Sequence, residues 1–136
     1  GKLTVPKLKI SRVILNSSTG EAMAWGIGRV DNAQSSSKGG PIILAGHRDS
    51  HMQFMSKLNV GDKIELMMSD GVLKTFIISK TNITNKPELL MSALNSENER
   101  LILTTCWPFH SSRAGPNRYI LTADILKNSK DIILDI

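Results

Sequence analysis

One cysteine, Cys106, is all the sequence offers, so no internal disulfide can form and the fold must stand on its core alone. Long hydrophobic runs are also missing. No stretch approaches the roughly 20 apolar residues of a membrane span, and no cleavable signal is present. Aromatic residues are scarce at 4%, and the net charge of +5 is spread out, with Lys2, Lys7, Lys9 and Arg12 near the start and single charges after them. A nucleic-acid binder needs a dense basic stripe interleaved with stacking platforms, so that class is set aside. Repeats and dividing linkers are absent too. What remains is a 136-residue chain with 40% apolar residues, enough to bury one core, and residues 1–136 are expected to form a single domain.

The apolar residues that are present come in short runs. Residues 3–15 alternate Leu8 and Ile10 against Lys7 and Lys9 and read as an early strand, with Pro6 near its start. Residues 16–20 are a turn by composition, residues 21–30 show no clear period, and 35–40 read as a flexible loop. Pro41 to Ala45 is a continuous apolar strand expected to be buried on both faces. Residues 52–58 allow a helical turn or two before a turn at 59–62. Two alternating runs, 63–67 and 74–78, flank an Asp70-Gly71 hairpin turn. Pro87 to Leu94 is the other helix candidate, with proline suited to a first turn. Strands follow at 101–105, 118–123 and 131–136. Short strands with one or two short helices predict an all-β barrel or sandwich.

Reactive groups fall at three of these strand ends. In Arg100-Leu101-Ile102-Leu103-Thr104-Thr105-Cys106-Trp107-Pro108-Phe109, Ile102 and Thr104 point to one face, and Leu101, Leu103 and Thr105 to the other. Pro108 cannot donate to a ladder, so pairing should stop near Cys106 and leave the thiol at an open strand end. His47 follows strand 41–45, and Arg118 begins strand 118–123. A thiol attacks as its thiolate and needs a base or a nearby cation, which His47 can supply. The Arg118 guanidinium stays charged and can donate to a developing oxyanion.

Ala45-Gly46-His47-Arg48-Asp49, Gly61-Asp62, Leu103-Thr104-Thr105-Cys106-Trp107-Pro108-Phe109 and Gly115-Pro116-Asn117-Arg118-Tyr119 together resemble the sortases in order and spacing. Val5-Pro6-Lys7-Leu8 and the Asp70-Gly71 turn add to the likeness, which runs from about residue 4 to 125. The resemblance implies a closed, eight-stranded sortase-type β-barrel. It also implies a cysteine transpeptidase that cuts a Leu-Pro-X-Thr-Gly-like sorting signal after threonine, holds the acyl group as a thioester and passes it to an amine. The family's catalytic residues fall on Cys106, His47 and Arg118. Thr105 is retained from the family pattern and offers an oxyanion contact through its hydroxyl or backbone; Ile102 stands where the family's first threonine would be. The aromatic-Pro-Phe after the cysteine is most similar to class D or Gram-negative-type sortases, with Trp107 where tyrosine is usual.

The implied partners are surface proteins bearing a C-terminal sorting signal, and an amine acceptor on a peptidoglycan stem or a pilin lysine. Location follows as extracytoplasmic, held to the membrane by an anchor outside this sequence. No dense acidic cluster calls for the calcium some sortases use, so no cofactor and no metal are expected.

Plainer readings stand beside these. A lone cysteine is often a buried small hydrophobe, and Met52 and Met55 are core filler unless they reach substrate. Asp49 either orients His47 or caps a turn, and Trp107 either walls a groove or covers a core edge. His47 with His51 and Cys106 with His110 are each four apart, so a zinc-stabilised binding module is a rival from another class. A catalytically inactive peptide-binding module would carry the same residues, and so would a plain cysteine hydrolase.

Overall fold

A computed structural model of the chain describes residues 1–15, 26–29, 41–47, 51–68, 71–86, 99–106 and 117–126. Eight strands close into one barrel: β1 (Lys2–Val5), β2 (Ile10–Leu15), β3 (Ile27–Arg29), β4 (Ile42–Ala45), β5 (Lys63–Met67), β6 (Leu73–Thr84), β7 (Arg100–Cys106) and β8 (Arg118–Ile125). Around the barrel the order is β1-β2-β3-β4-β7-β8-β6-β5. Two 3-10 helices, Pro6–Leu8 and Gln53–Lys57, are the helical elements among the described residues. The expected last strand at 131–136, the helix at 87–94 and the loops at 35–40 and 111–116 lie outside them.

The stretch 3–15 is two strands rather than one. Pro6 fixes its own φ and offers no N–H, so β1 stops at Val5 and a single 3-10 turn follows. That turn ends at Lys9 in the left-handed region (φ 55°), with its N–H donating to the Pro6 carbonyl, and β2 then returns antiparallel against β1. A strand also lies in the stretch that showed no period: β3 has only three residues, all buried, which is too short for alternation to appear. Its pairing is parallel to β2 and antiparallel to β4.

Inward-facing side chains fill the barrel. Leu3, Ile27, Leu44, Leu66, Phe76, Leu101 and Leu121 are each fully buried, and each contributes roughly 1.5–3 kcal/mol of burial. Met52, Phe54 and Met55, from the second 3-10 helix and its cap, add to this core from one end of the barrel. The two methionines are core filler and are wholly enclosed. A separate cluster of Ile43, Ile102 and Ile120 lies on the opposite face of β4, β7 and β8. Both faces of these three strands are therefore buried, as the continuous apolar run 41–45 predicted.

Candidate active site

Strand register brings the three reactive positions together. Strands β7 and β8 are antiparallel, and Cys106 lies directly opposite Arg118. Strands β4 and β7 are parallel, with Ala45 beside Thr104, so carrying that register on by two residues sets His47 beside Cys106. A contact beyond the ladder supports the continuation: the buried Thr105 hydroxyl donates to the Gly46 carbonyl at 2.8 Å. Parallel β4 and β7 finish at the same end of the barrel, where β8 begins.

Alternation then decides which face each residue shows. Leu101, Leu103 and Leu121 point into the core, so Ile102, Thr104 and Cys106 on β7, and Arg118, Ile120 and Thr122 on β8, share the outer face. On β4 the matching residues are Ile43 and Ala45, with His47 next in phase. The outer face is thus a set of rows across three strands. Ile43, Ile102 and Thr122 form one, Ala45, Thr104 and Ile120 the next, and Cys106 and Arg118 the row at the open end, which His47 joins when the phase of β4 is carried on two residues. His47 is exposed, while Cys106 and Arg118 are half-buried. The sulfur is fixed by a rigid strand and remains reachable.

The histidine segment is held at two successive carbonyls. Thr105 grips the Gly46 carbonyl, and the Met52 N–H donates to the His47 carbonyl at 3.1 Å. Gly46 is required by close approach: a Cβ there would sit 2.6 Å from Cγ of the fully buried Met52, so something would have to shift. Arg118 donates through Nη1 to the Asn117 carbonyl at 3.1 Å.

Thr105 differs from the role its hydroxyl was expected to fill. Its side chain faces inward, is 3% exposed and already donates to Gly46. The hydroxyl is therefore not available to an oxyanion on the outer face; only the backbone route is left. Thr104, one place earlier and on the outer face, is the residue that reading by motif passed over. Among the described residues its hydroxyl is the one buried side-chain polar atom with no hydrogen-bond partner, and it lies in the row next to the reactive one. A glycine between an apolar strand and a histidine was the available signal for the tight packing at Gly46.

Asp49 and Trp107, expected at the rim of the site, lie outside the described residues, as does His110 of the rival zinc set. Among the described residues, no three His, Cys, Asp or Glu side chains gather into a metal-holding group.

Known proteins similar to this chain share its family and its fold. A family model described as Sortase domain matches residues 3–126. The chain is 34% identical over 121 residues to Sortase D of Bacillus subtilis, covering 89% of this chain and 61% of that protein. Among solved structures, sortase C from Clostridium perfringens superposes with a TM-score of 0.76 at 16% identity, over 94% of this chain and 70% of the other. Sortase A from Corynebacterium diphtheriae does so with a TM-score of 0.77 at 15% identity, over 93% and 60%. Both solved structures share the closed barrel.

Proposed function

The chain belongs to the sortase family, and we propose that it works as a cysteine transpeptidase on surface-protein sorting signals. The observation that carries this reading is the cross-strand pair Cys106–Arg118, with His47 next in line on the neighbouring parallel strand.

In this reading the Cys106 thiolate attacks the carbonyl carbon of a threonine in a Leu-Pro-X-Thr-Gly-like signal. The Arg118 guanidinium donates to the oxygen as it gains negative charge. Collapse of the tetrahedral intermediate breaks the peptide C–N bond, and imidazolium His47 gives its proton to the leaving amine. The acyl group stays on sulfur as a thioester, which keeps much of the reactivity of the broken bond. An incoming amine, from a peptidoglycan stem or a pilin lysine, loses a proton to His47 and attacks the thioester carbon. The new amide forms and the thiolate is released. The enzyme would act outside the cytoplasm, tethered by a membrane segment. Sortase D of Bacillus subtilis supports a class D assignment.

The deciding experiment incubates the protein with a panel of sorting-signal peptides, with and without amines, and follows Cys106 by mass spectrometry. An acyl adduct on Cys106 that an amine discharges into a new amide is expected, and it should vanish in Cys106→Ala. Adducts discharged only by water would reassign the protein as a cysteine hydrolase. Binding without any adduct would leave a peptide-binding module.

A further inference from the structure

We propose that Thr105 is a positioning residue for His47: its hydroxyl replaces the backbone ladder at the point where β4 ends and holds the histidine beside the nucleophile. The proposal rests on the cysteine–histidine chemistry above and assigns a part in it to a side chain on the opposite face of the strand.

The ladder between β4 and β7 stops at Ala45 and Thr104. Beyond it the backbone ladder gives no further pairs, and the His47 carbonyl accepts from the Met52 N–H at 3.1 Å instead. A strand end released in this way would swing, and His47 would swing with it. The Thr105 hydroxyl prevents this by donating to the Gly46 carbonyl, one peptide before His47, at 2.8 Å. The bond is buried, with Thr105 3% exposed, which strengthens it and makes its loss costly. Packing acts in the same direction, because Met52 sits where a Gly46 side chain would be. The nucleophile's own strand thereby carries both partners: Cys106 directly on the outer face, and His47 indirectly through the inner-facing residue beside it. An error of about 1 Å in such an arrangement can cost a hundredfold in rate.

Thr105→Val keeps the shape and removes the donor, while Thr105→Ser keeps the donor. The His47 imidazole is followed by NMR, with His51 as internal reference and assignment by His47→Gln. In parallel, kcat and KM are measured on a sorting-signal peptide. Thr105→Val is expected to broaden or shift the His47 ring signals, leave those of His51 in place, and lower kcat about tenfold or more with KM within about twofold. Thr105→Ser should restore most of the rate and the ring signals. Should Thr105→Val not fold, Thr105→Ala is read in the same way. Wild-type kcat together with unmoved His47 signals in the folded Val variant would overturn the proposal. So would a Ser variant as impaired as Val. If the wild-type protein turns over no sorting peptide, the transpeptidase reading fails, and the His47 signals alone still decide whether Thr105 positions the ring.

Discussion

At the scale of single residues, the site is held together by what each side chain cannot avoid doing. Arg118 carries a fixed planar charge directly across the ladder from Cys106. Arg118→Ala should therefore lower kcat/KM by about a hundredfold or more, the usual scale for losing an oxyanion donor. The change should fall mainly on kcat, and steady-state kinetics on a sorting-signal peptide checks it; activity within about twofold of wild type would remove Arg118 from the mechanism. Gly46 contributes by having no side chain. In Gly46→Ala the new methyl meets Cγ of buried Met52 at 2.6 Å, and either the methionine or the histidine segment must move. Overpacking of this kind costs about 1–3 kcal/mol. The expected result is a lowered Tm by calorimetry together with a loss of kcat/KM larger than the mild unfolding explains. The glycine between an apolar strand and a histidine hinted at tight packing, but the sequence did not say that Met52 is what Gly46 packs against. The placement of Cys106 and Arg118 at strand ends, and of His47 just past one, was legible because each borders a short apolar run. Their meeting depends on β4 and β7 being parallel neighbours, and local alternation carries no information about that pairing.

Among the elements, the turn between the second 3-10 helix and β5 is tied at several points. Gly61 takes φ 97°, its N–H donates to the Ile78 carbonyl, and the Ile78 N–H donates back to the Asp62 carbonyl. The Asp62 carboxylate accepts from the Asn59 N–H at 2.8 Å and from Nζ of Lys7 at 3.0 Å, linking the first 3-10 helix to β5. The Asn59 N–H, and after it the Lys7 ammonium, holds the Asp62 carboxyl below the ordinary aspartate value. A carboxylate with a depressed folded pKa stabilises the protein above its unfolded pKa of about 3.9, and the benefit fades as pH falls through the lower folded value. Acid denaturation followed by circular dichroism should show this contribution in the wild-type protein below about pH 4, and Asp62→Ala should flatten the curve there. Curves that run parallel at all pH values would mean that the link adds nothing. The same part of the chain shows why alternation misjudged β6. The run was expected to end at Ile78, yet the strand continues to Thr84. A bulge between Ile78 and Lys80 inserts a residue, so the inward phase passes from Phe76 and Ile78 to Thr81, and a strict period of two fails there. Pro6 was visible in the sequence, but the left-handed Lys9 that lets β2 fold back on β1 was not, because a lysine gives no sign of positive φ.

For the molecule as a whole, closure of the barrel and assembly of the site are separable. Closure depends on β1 meeting β5 at three positions, Lys2 with Met67, Leu3 with Leu66 and Thr4 with Glu65, on the side of the ring away from β7. Leu3 and Leu66 face each other across that seam and are fully buried. Removing three carbons in Leu3→Ala should cost about 2–5 kcal/mol, from lost transfer energy and the cavity left behind. For a chain of this length that is a drop in Tm of roughly 7–17 °C. The row of His47, Cys106 and Arg118 is carried by β4, β7 and β8, which keep their own ladders and both of their buried faces. Well below its lowered Tm, Leu3→Ala should therefore alkylate at Cys106 and turn over peptide at close to the wild-type rate, while melting earlier. Thermal denaturation and thiol-modification rates on the same sample test both halves. A variant that lost Cys106 reactivity while still folded would show that the seam and the site are coupled through the core, and that the three-strand row is not a unit in itself.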